Sequence, residues 1–372
     1  MKIVQIVHSF PPRYEGIGNY CYQLSKHLAE RGHQVDVFTS RLHNNLPVEE
    51  FIDGFTIHRC PYFGKISTNR ITFILNKLLN IKADIIHAHS YIFLTSNQAA
   101  LAKKINQQPL LLHLHGGVKV IPNQGSLLNR LQFNSIKNIY DQTIGKWTIQ
   151  AANKIASVSK IDIELARELW NIDSNKIDWL PNAIDINSFD GNNHNDNLNV
   201  VFIGRLETWK GVHTFIEVAS NILEERDDVT FTVVGDGSLR NQVENNGYTS
   251  RINVLGCVPH NQIPKILSNA SILALPSYME GLPTVCLEAL ASEIPVVASD
   301  VGGTSEIVIE KETGFLAPPG NAKIFAYRIM TLLDDEKLRK KMGRNGRKLI
   351  EKHYTWDKVV EKTEKLYRKT LS

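Results

Sequence analysis

Glu280 and Glu288 are two carboxylates eight positions apart in the segment PSYMEGLPTVCLEAL, residues 276–290. The buried run SILAL ends at Pro276, a short loop holds Glu280 and Gly281, and Pro283 suits the first turn of a helix, where a missing N–H costs nothing. The backbone N–H groups in the stretch Gly281 to Thr284, which also holds Leu282 and Pro283, then point outward and form an anion site at a helix N-terminus. Glu280 sits before that helix and Glu288 inside it, so both carboxylates face one pocket at different depths. Carboxylate oxygens accept strong hydrogen bonds, which suits sugar hydroxyls. The plainer reading is a helix start decorated with acids to complement its dipole. It accounts for Glu280 but not for Glu288, which stands in an otherwise apolar helix.

The elements that position these residues alternate along the chain. KIVQIV, VDVFT, ADIIHAH, PLLLHLH, KIASVS and KIDWLP read as buried strands, with segments of helical length between them. In residues 17–31, Ile17, Tyr20, Leu24 and Leu28 recur three or four apart, and Gly32 supplies the stop. Such alternation implies parallel sheets. It breaks at the Asn-rich DGNNHNDNLN, residues 190–199, then restarts with VVFIG, VTFTVVG, INVLG, SILALP and PVVAS. The expectation is α/β, with two Rossmann-like domains facing across a cleft. Residues 1–189 form the first, 190–199 the linker and 200–356 the second. The amphipathic segment 357–372 packs back on the first.

Composition narrows the classes. The 372 residues are 42% hydrophobic and 22% charged, ordinary for a globular chain. No window approaches the ~20 apolar residues of a membrane span. MKIVQIVHSF is too short for a signal peptide and reads as a first strand. Cys21, Cys60, Cys257 and Cys286 are scattered, which fits a reducing, cytoplasmic setting. The net charge of +4 is unevenly spread: residues 65–160 hold twelve Lys/Arg against Asp84 and Asp141. Within that stretch, residues 126–147 interleave leucines and isoleucines with Arg130, Lys137 and Lys146. This pattern fits either a helix lying on an anionic membrane or an ordinary helix packed on its sheet with solvated lysines. No nucleic-acid-binding module is present.

Glu280-x7-Glu288, with GLP after the first Glu, resembles the signature of retaining GT-B glycosyltransferases of family 4. FIGRLETWKG (202–211), VVGDG (233–237), NVLGCV (253–258), LPNAID (180–185), LLHLHGG (111–117) and EGIGNY (15–20) resemble further segments of that family, in its order. The resemblance implies a donor that is a UDP- or GDP-sugar, with Glu288 on the ribose hydroxyls and Glu280 on the sugar C3/C4 hydroxyls. It places Arg205 and Lys210 on the diphosphate, where two fixed cations stabilise leaving-group charge. His115 falls beside the transferred sugar, and the amides of Gly16 and Gly18 near the diphosphate or acceptor. Glu15 and Ala183 stand where the family usually has glycine. His113 supports His115 or is a satisfied buried residue. His87 and His89 read as buried polar packing, with His89 a candidate to line the acceptor cleft.

No D-x-D occurs in the sequence, so metal-independent chemistry without a cofactor is expected. The implied reaction is retaining hexosyl transfer to a glycan or lipid-linked acceptor in surface polysaccharide or lipopolysaccharide synthesis. The rival readings are a nucleotide-sugar epimerase of the same architecture and an inactive nucleotide-sugar-binding protein.

Overall fold

Two separate sheets collect the apolar runs read from the sequence. The computed structural model describes residues 1–12, 16–66, 69–118, 135–189, 198–245 and 251–371. In the first half the strands are β1 (Lys2–Ile6), β2 (Gln34–Ser40), β3 (Glu49–Ile52), β4 (Phe55–Cys60), β5 (Tyr62–Ile66), β6 (Asn69–Thr72), β7 (Ile85–His89), β8 (Leu110–Leu114), β9 (Lys154–Ser157) and β10 (Ile177–Trp179). Eight of them form one sheet in the order β10-β9-β8-β7-β1-β2-β4-β3. Only β3 runs antiparallel to its neighbour there. β5 and β6 pair separately. β7 and β8 are buried along their whole length, as strands covered on both faces are.

The first helix runs Gly16–Glu30, one residue ahead of the predicted span, and buries Tyr20, Cys21, Leu24 and Leu28. Gly32 follows at φ +83°, the left-handed stop expected of it.

The second sheet holds β11 (Leu198–Ile203), β12 (Val229–Val234), β13 (Ile252–Gly256), β14 (Ile272–Leu275), β15 (Val296–Ser299) and β16 (Gly314–Ala317). Its order is β13-β12-β11-β14-β15-β16, all parallel. Numbered within the sheet, that is 3-2-1-4-5-6, the doubly wound Rossmann order. The chain winds outward from β11 in one direction and from β14 in the other. The loops leaving the carboxyl ends of β11 and β14 therefore stand side by side at the topological switch point.

Chain contacts divide the molecule into two compact units. One ends at Asn182 and takes back the chain from Trp356 onward; the other spans Ala183–Thr355. Of the proposed linker 190–199, residues 190–197 lie outside the described residues. The helix Trp356–Leu371 belongs to the first unit and buries Val359, Val360, Leu366 and Tyr367. Each such side chain contributes about 1.5–3 kcal/mol by leaving water.

Candidate active site

In the second unit the loops after β11 and β14 clasp each other at the switch point. Gly211 has φ +73°, and a Cβ there would lie 1.8 Å from the carbonyl oxygen of Pro276. Nothing but glycine lets the two loops come this close. The Tyr278 amide donates to the Trp209 carbonyl at 2.9 Å, a second tie between them.

This clasp sets Lys210 against Glu280. The Lys210 ammonium donates to Glu280 Oε1 at 2.6 Å, and their side chains are only 15% and 9% exposed. At that burial a charge needs its partner, since desolvation is only offset by close pairing. Trp209 gathers the cations: the Arg205 guanidinium and the Lys210 ammonium each lie 4.7 Å from its ring centroid. Arg205 itself is exposed.

The helix Thr284–Ala291 starts directly after this loop, with Pro283 at its N-cap and no side-chain cap. Leu282 and Pro283 are buried while Thr284 is exposed. The Gly303 amide donates to the Gly281 carbonyl at 2.7 Å. Gly302, at φ +52°, leaves no room for a Cβ, which would sit 1.9 Å from the Glu280 carbonyl oxygen. One turn into the helix, Glu288 is buried and accepts from His260 Nε2 at 2.8 Å. That hydrogen bond holds the His260 pKa above the ordinary histidine range, against a smaller opposing effect of desolvation. Burial first, then the Glu280 charge, pushes the Cys286 thiol well up, so it stays protonated.

The structure thus joins Arg205, Lys210, Glu280, Gly281, Leu282, Pro283, Thr284 and Glu288 around one pair of loops and one helix start. The arrangement offers two cations and the amides of a helix start for an anion, and two carboxylates for hydroxyls. His260 and Trp209 were not singled out from the sequence. Trp209 stood inside the quoted FIGRLETWKG, whereas His260 carries no local signal.

His115 lies in the first unit, after β8 and ahead of Gly116 and Gly117 at φ +94° and +78°. It is half-buried and closes a cluster of imidazoles. His89 Nδ1 lies 2.9 Å from His115 Nε2, and His89 Nε2 lies 2.8 Å from Gln5 Oε1. The Gln5 amide donates to the Tyr367 hydroxyl at 3.1 Å, which in turn lies 2.8 Å from His87 Nδ1. His113 Nε2 donates to the Leu180 carbonyl at 2.9 Å. Burial holds all four imidazoles neutral; it brings His113 down to about 3 and the others well below the ordinary range.

Two expectations change here. His89 is fully buried, so it lines no acceptor surface. Lys137 is no solvated lysine: it donates to the Val118 carbonyl at 3.0 Å and pairs with Asp141. Gly18 has a packing reason, because a Cβ would come 2.6 Å from the Ser9 carbonyl oxygen. Gly16 is exposed, with open space around it. Of the basic segment 126–147, residues 126–134 lie outside the described residues; Ile136, Ile139 and Ile144 are exposed.

Two α/β units, one with the doubly wound Rossmann order, have the architecture of a GT-B glycosyltransferase, and comparison with known proteins shows that class. A family profile described as "Glycosyl transferases group 1" matches residues 184–349, and one described as "Glycosyltransferase Family 4" matches residues 14–188. An uncharacterized glycosyltransferase of Methanocaldococcus jannaschii is 30% identical over 84% of this chain and 84% of its own. The capsular polysaccharide biosynthesis glycosyltransferase CapM of Staphylococcus aureus is 31% identical over 53% of this chain and 54% of its own. The structure of Anabaena HepE in complex with UDP-glucose superposes with a TM-score of 0.78 at 19% identity, covering 98% of this chain and 99% of that one. The chain belongs to the group 1 glycosyltransferases.

Proposed function

We propose that the protein transfers a hexosyl group, with retention, from a UDP- or GDP-sugar to a glycan or lipid-linked acceptor in surface polysaccharide or lipopolysaccharide synthesis. The observation that carries this reading is the half-buried Lys210–Glu280 pair beside the N-terminus of helix Thr284–Ala291. Arg205, Lys210 and the amides of Gly281, Leu282 and Thr284 take the diphosphate. Glu280 accepts from sugar hydroxyls and Glu288 from the ribose. His115 contacts the sugar, and Gly16 and Gly18 the diphosphate or acceptor. CapM and UDP-glucose-bound HepE support the substrate classes by analogy.

The proposed chemistry is a front-face displacement. The glycosidic bond to the diphosphate breaks, negative charge grows on the distal phosphate, and Arg205 and Lys210 stabilise it. The acceptor hydroxyl attacks the same face and passes its proton to a leaving phosphate oxygen. The protein supplies positioning and charge. The absence of a D-x-D pair leads us to expect no metal requirement.

No helix among the described residues is long and apolar enough to cross a membrane. Peripheral contact with an anionic membrane through residues 65–160 is part of the proposal, supported by the exposed Ile136 and Ile139 within that basic stretch.

Thermal stabilisation by UDP, GDP and their sugars, in EDTA, tests the reading. A ligand at ~100 times its Kd adds about 2.7 kcal/mol. A selective response to one nucleotide series is expected. A flat panel on folded protein overturns the proposed donor site.

A further inference from the structure

Buried imidazoles in line raise the question of where each proton sits. Donor and acceptor roles can be followed outward from Gln5, whose amide oxygen only accepts and whose nitrogen only donates. Gln5 Oε1 faces His89, so His89 Nε2 carries the hydrogen and His89 Nδ1 is a bare lone pair. His115 Nε2, 2.9 Å from that lone pair, must then be the donor. On the other side Gln5 Nε2 donates to the Tyr367 oxygen, leaving the phenol hydrogen for His87 Nδ1. His87 then carries its own hydrogen on Nε2. The whole chain runs one way: His115 to His89 to Gln5 to Tyr367 to His87.

We propose that Gln5 and Tyr367 are positioning residues that lock His115 as its Nε2–H tautomer, so that its other nitrogen, Nδ1, presents a lone pair and accepts from a ligand hydroxyl rather than binding phosphate. A phosphate oxygen offers no hydrogen to such an atom, whereas a sugar hydroxyl does. The role in sugar recognition rests on the transferase reading; the tautomer does not.

Three observations support this polarity. All four imidazoles are held neutral by burial, so each has one donor and one acceptor nitrogen. His113 donates from Nε2 to Leu180, which leaves its Nδ1 a buried lone pair with no hydrogen-bond partner among the described residues. His87 Nε2 is likewise buried with no hydrogen-bond partner among the described residues, and the two rings stack with centroids 5.5 Å apart. In the inferred polarity these two atoms are a donor and an acceptor. With the Gln5 amide reversed, both would be lone pairs. The same accounting disfavours a metal site at His87, His89 and His113, whose nearest ligand atoms lie within 4.8 Å of one another. His87 Nε2 carries a hydrogen, and both nitrogens of His89 are already engaged.

Nitrogen-15 NMR of histidine-labelled full-length protein reads the tautomer directly, with His115 assigned by its loss in His115→Gln. The wild type is expected to show His115 with a protonated Nε2 and a bare Nδ1. Gln5→Met removes both amide bonds, and Tyr367→Phe removes the hydroxyl that anchors the amide. Each is expected to give averaged shifts from mixed tautomers. Gln5→Glu still accepts from His89 and is expected to restore the wild-type pattern. A hydrogen on Nδ1 in the wild type overturns the proposal, as do wild-type shifts in both Gln5→Met and Tyr367→Phe. Tyr367→Phe keeps the test open if Gln5→Met does not fold. A nucleotide panel without response, combined with the expected tautomer, sinks the transferase reading and leaves this one standing.

Discussion

Lys210 and Glu280 lie 70 residues apart in sequence and 2.6 Å apart at their charged atoms. They follow β11 and β14, the two strands that flank the point where the second sheet reverses its winding. The pair exists because a glycine at 211 lets one loop press against the other.

Lys210→Ala and Glu280→Ala are each expected to lower transfer by at least ~100-fold, the usual cost of removing one preorganised charged group. Their effects should not add, because each variant strands the other's charge. Kinetics of the two single variants and the double variant, with circular dichroism as a folding check, measure this. Wild-type turnover in either single variant, on folded protein, removes both residues from the site.

Gly211→Ala is expected to cost about 2–4 kcal/mol, since it combines a positive φ with a backbone overlap that only loop movement relieves. Gly16→Ala, with nothing near its added methyl, is expected to stay within about 0.5 kcal/mol of wild type. Denaturant melts of both variants decide. Equal stabilities would mean the clasp does not constrain the loops.

The His260–Glu288 bond sets a pH dependence. The folded pKa of His260 is raised, so its contribution to stability is present below the unfolded value of 6.5 and is lost as pH rises through the raised value. Protonated His260 also competes for the carboxylate proposed to hold the ribose. Nucleotide affinity should therefore tighten as pH rises from about 6 to 8, and His260→Gln should flatten that rise. Titration calorimetry at several pH values checks it; an unchanged slope in His260→Gln excludes this group.

Acid should act on the first unit with the opposite sign. His87, His89, His113 and His115 have folded pKa values below 6.5, so the unfolded chain binds protons first. Their contribution is intact above pH 6.5 and is lost as pH falls below it, by up to about 1.4 kcal/mol per pH unit for each imidazole. Chemical denaturation from pH 7 to 4 is expected to show this slope, and His113→Gln a shallower one. A slope equal to wild type in that variant would contradict the buried neutral state of His113.

Much of this was legible in the sequence. Strand and helix periodicity located β1, β7, β8, β11 and the first helix, because buried strands and amphipathic helices leave local patterns. Glu288 stood out as a carboxylate in an otherwise apolar helix, and Glu280 by its spacing ahead of it. What escaped depended on long-range pairing. His260 meets Glu288 across 28 positions and Gln5 meets Tyr367 across 362, and neither leaves a local mark. Lys137 read as a surface cation because its buried partners, Asp141 and Val118, are set by tertiary packing. The strand order that places Lys210 beside Glu280 is likewise a property of the sheet rather than of any segment.

The helix Trp356–Leu371 closes the first unit, yet the whole second unit precedes it in the chain. During synthesis, Gln5 and His87 therefore wait for Tyr367 while everything from Ala183 to Thr355 is made. At ~5–20 residues per second that delay is of the order of ten to thirty seconds. In that interval the stretch Ala183–Thr355 of the second unit can fold, whereas the first unit holds an uncovered face and a row of buried polar atoms without their last partner. The order of folding on the ribosome is thus the reverse of the order of synthesis: the later unit is complete first.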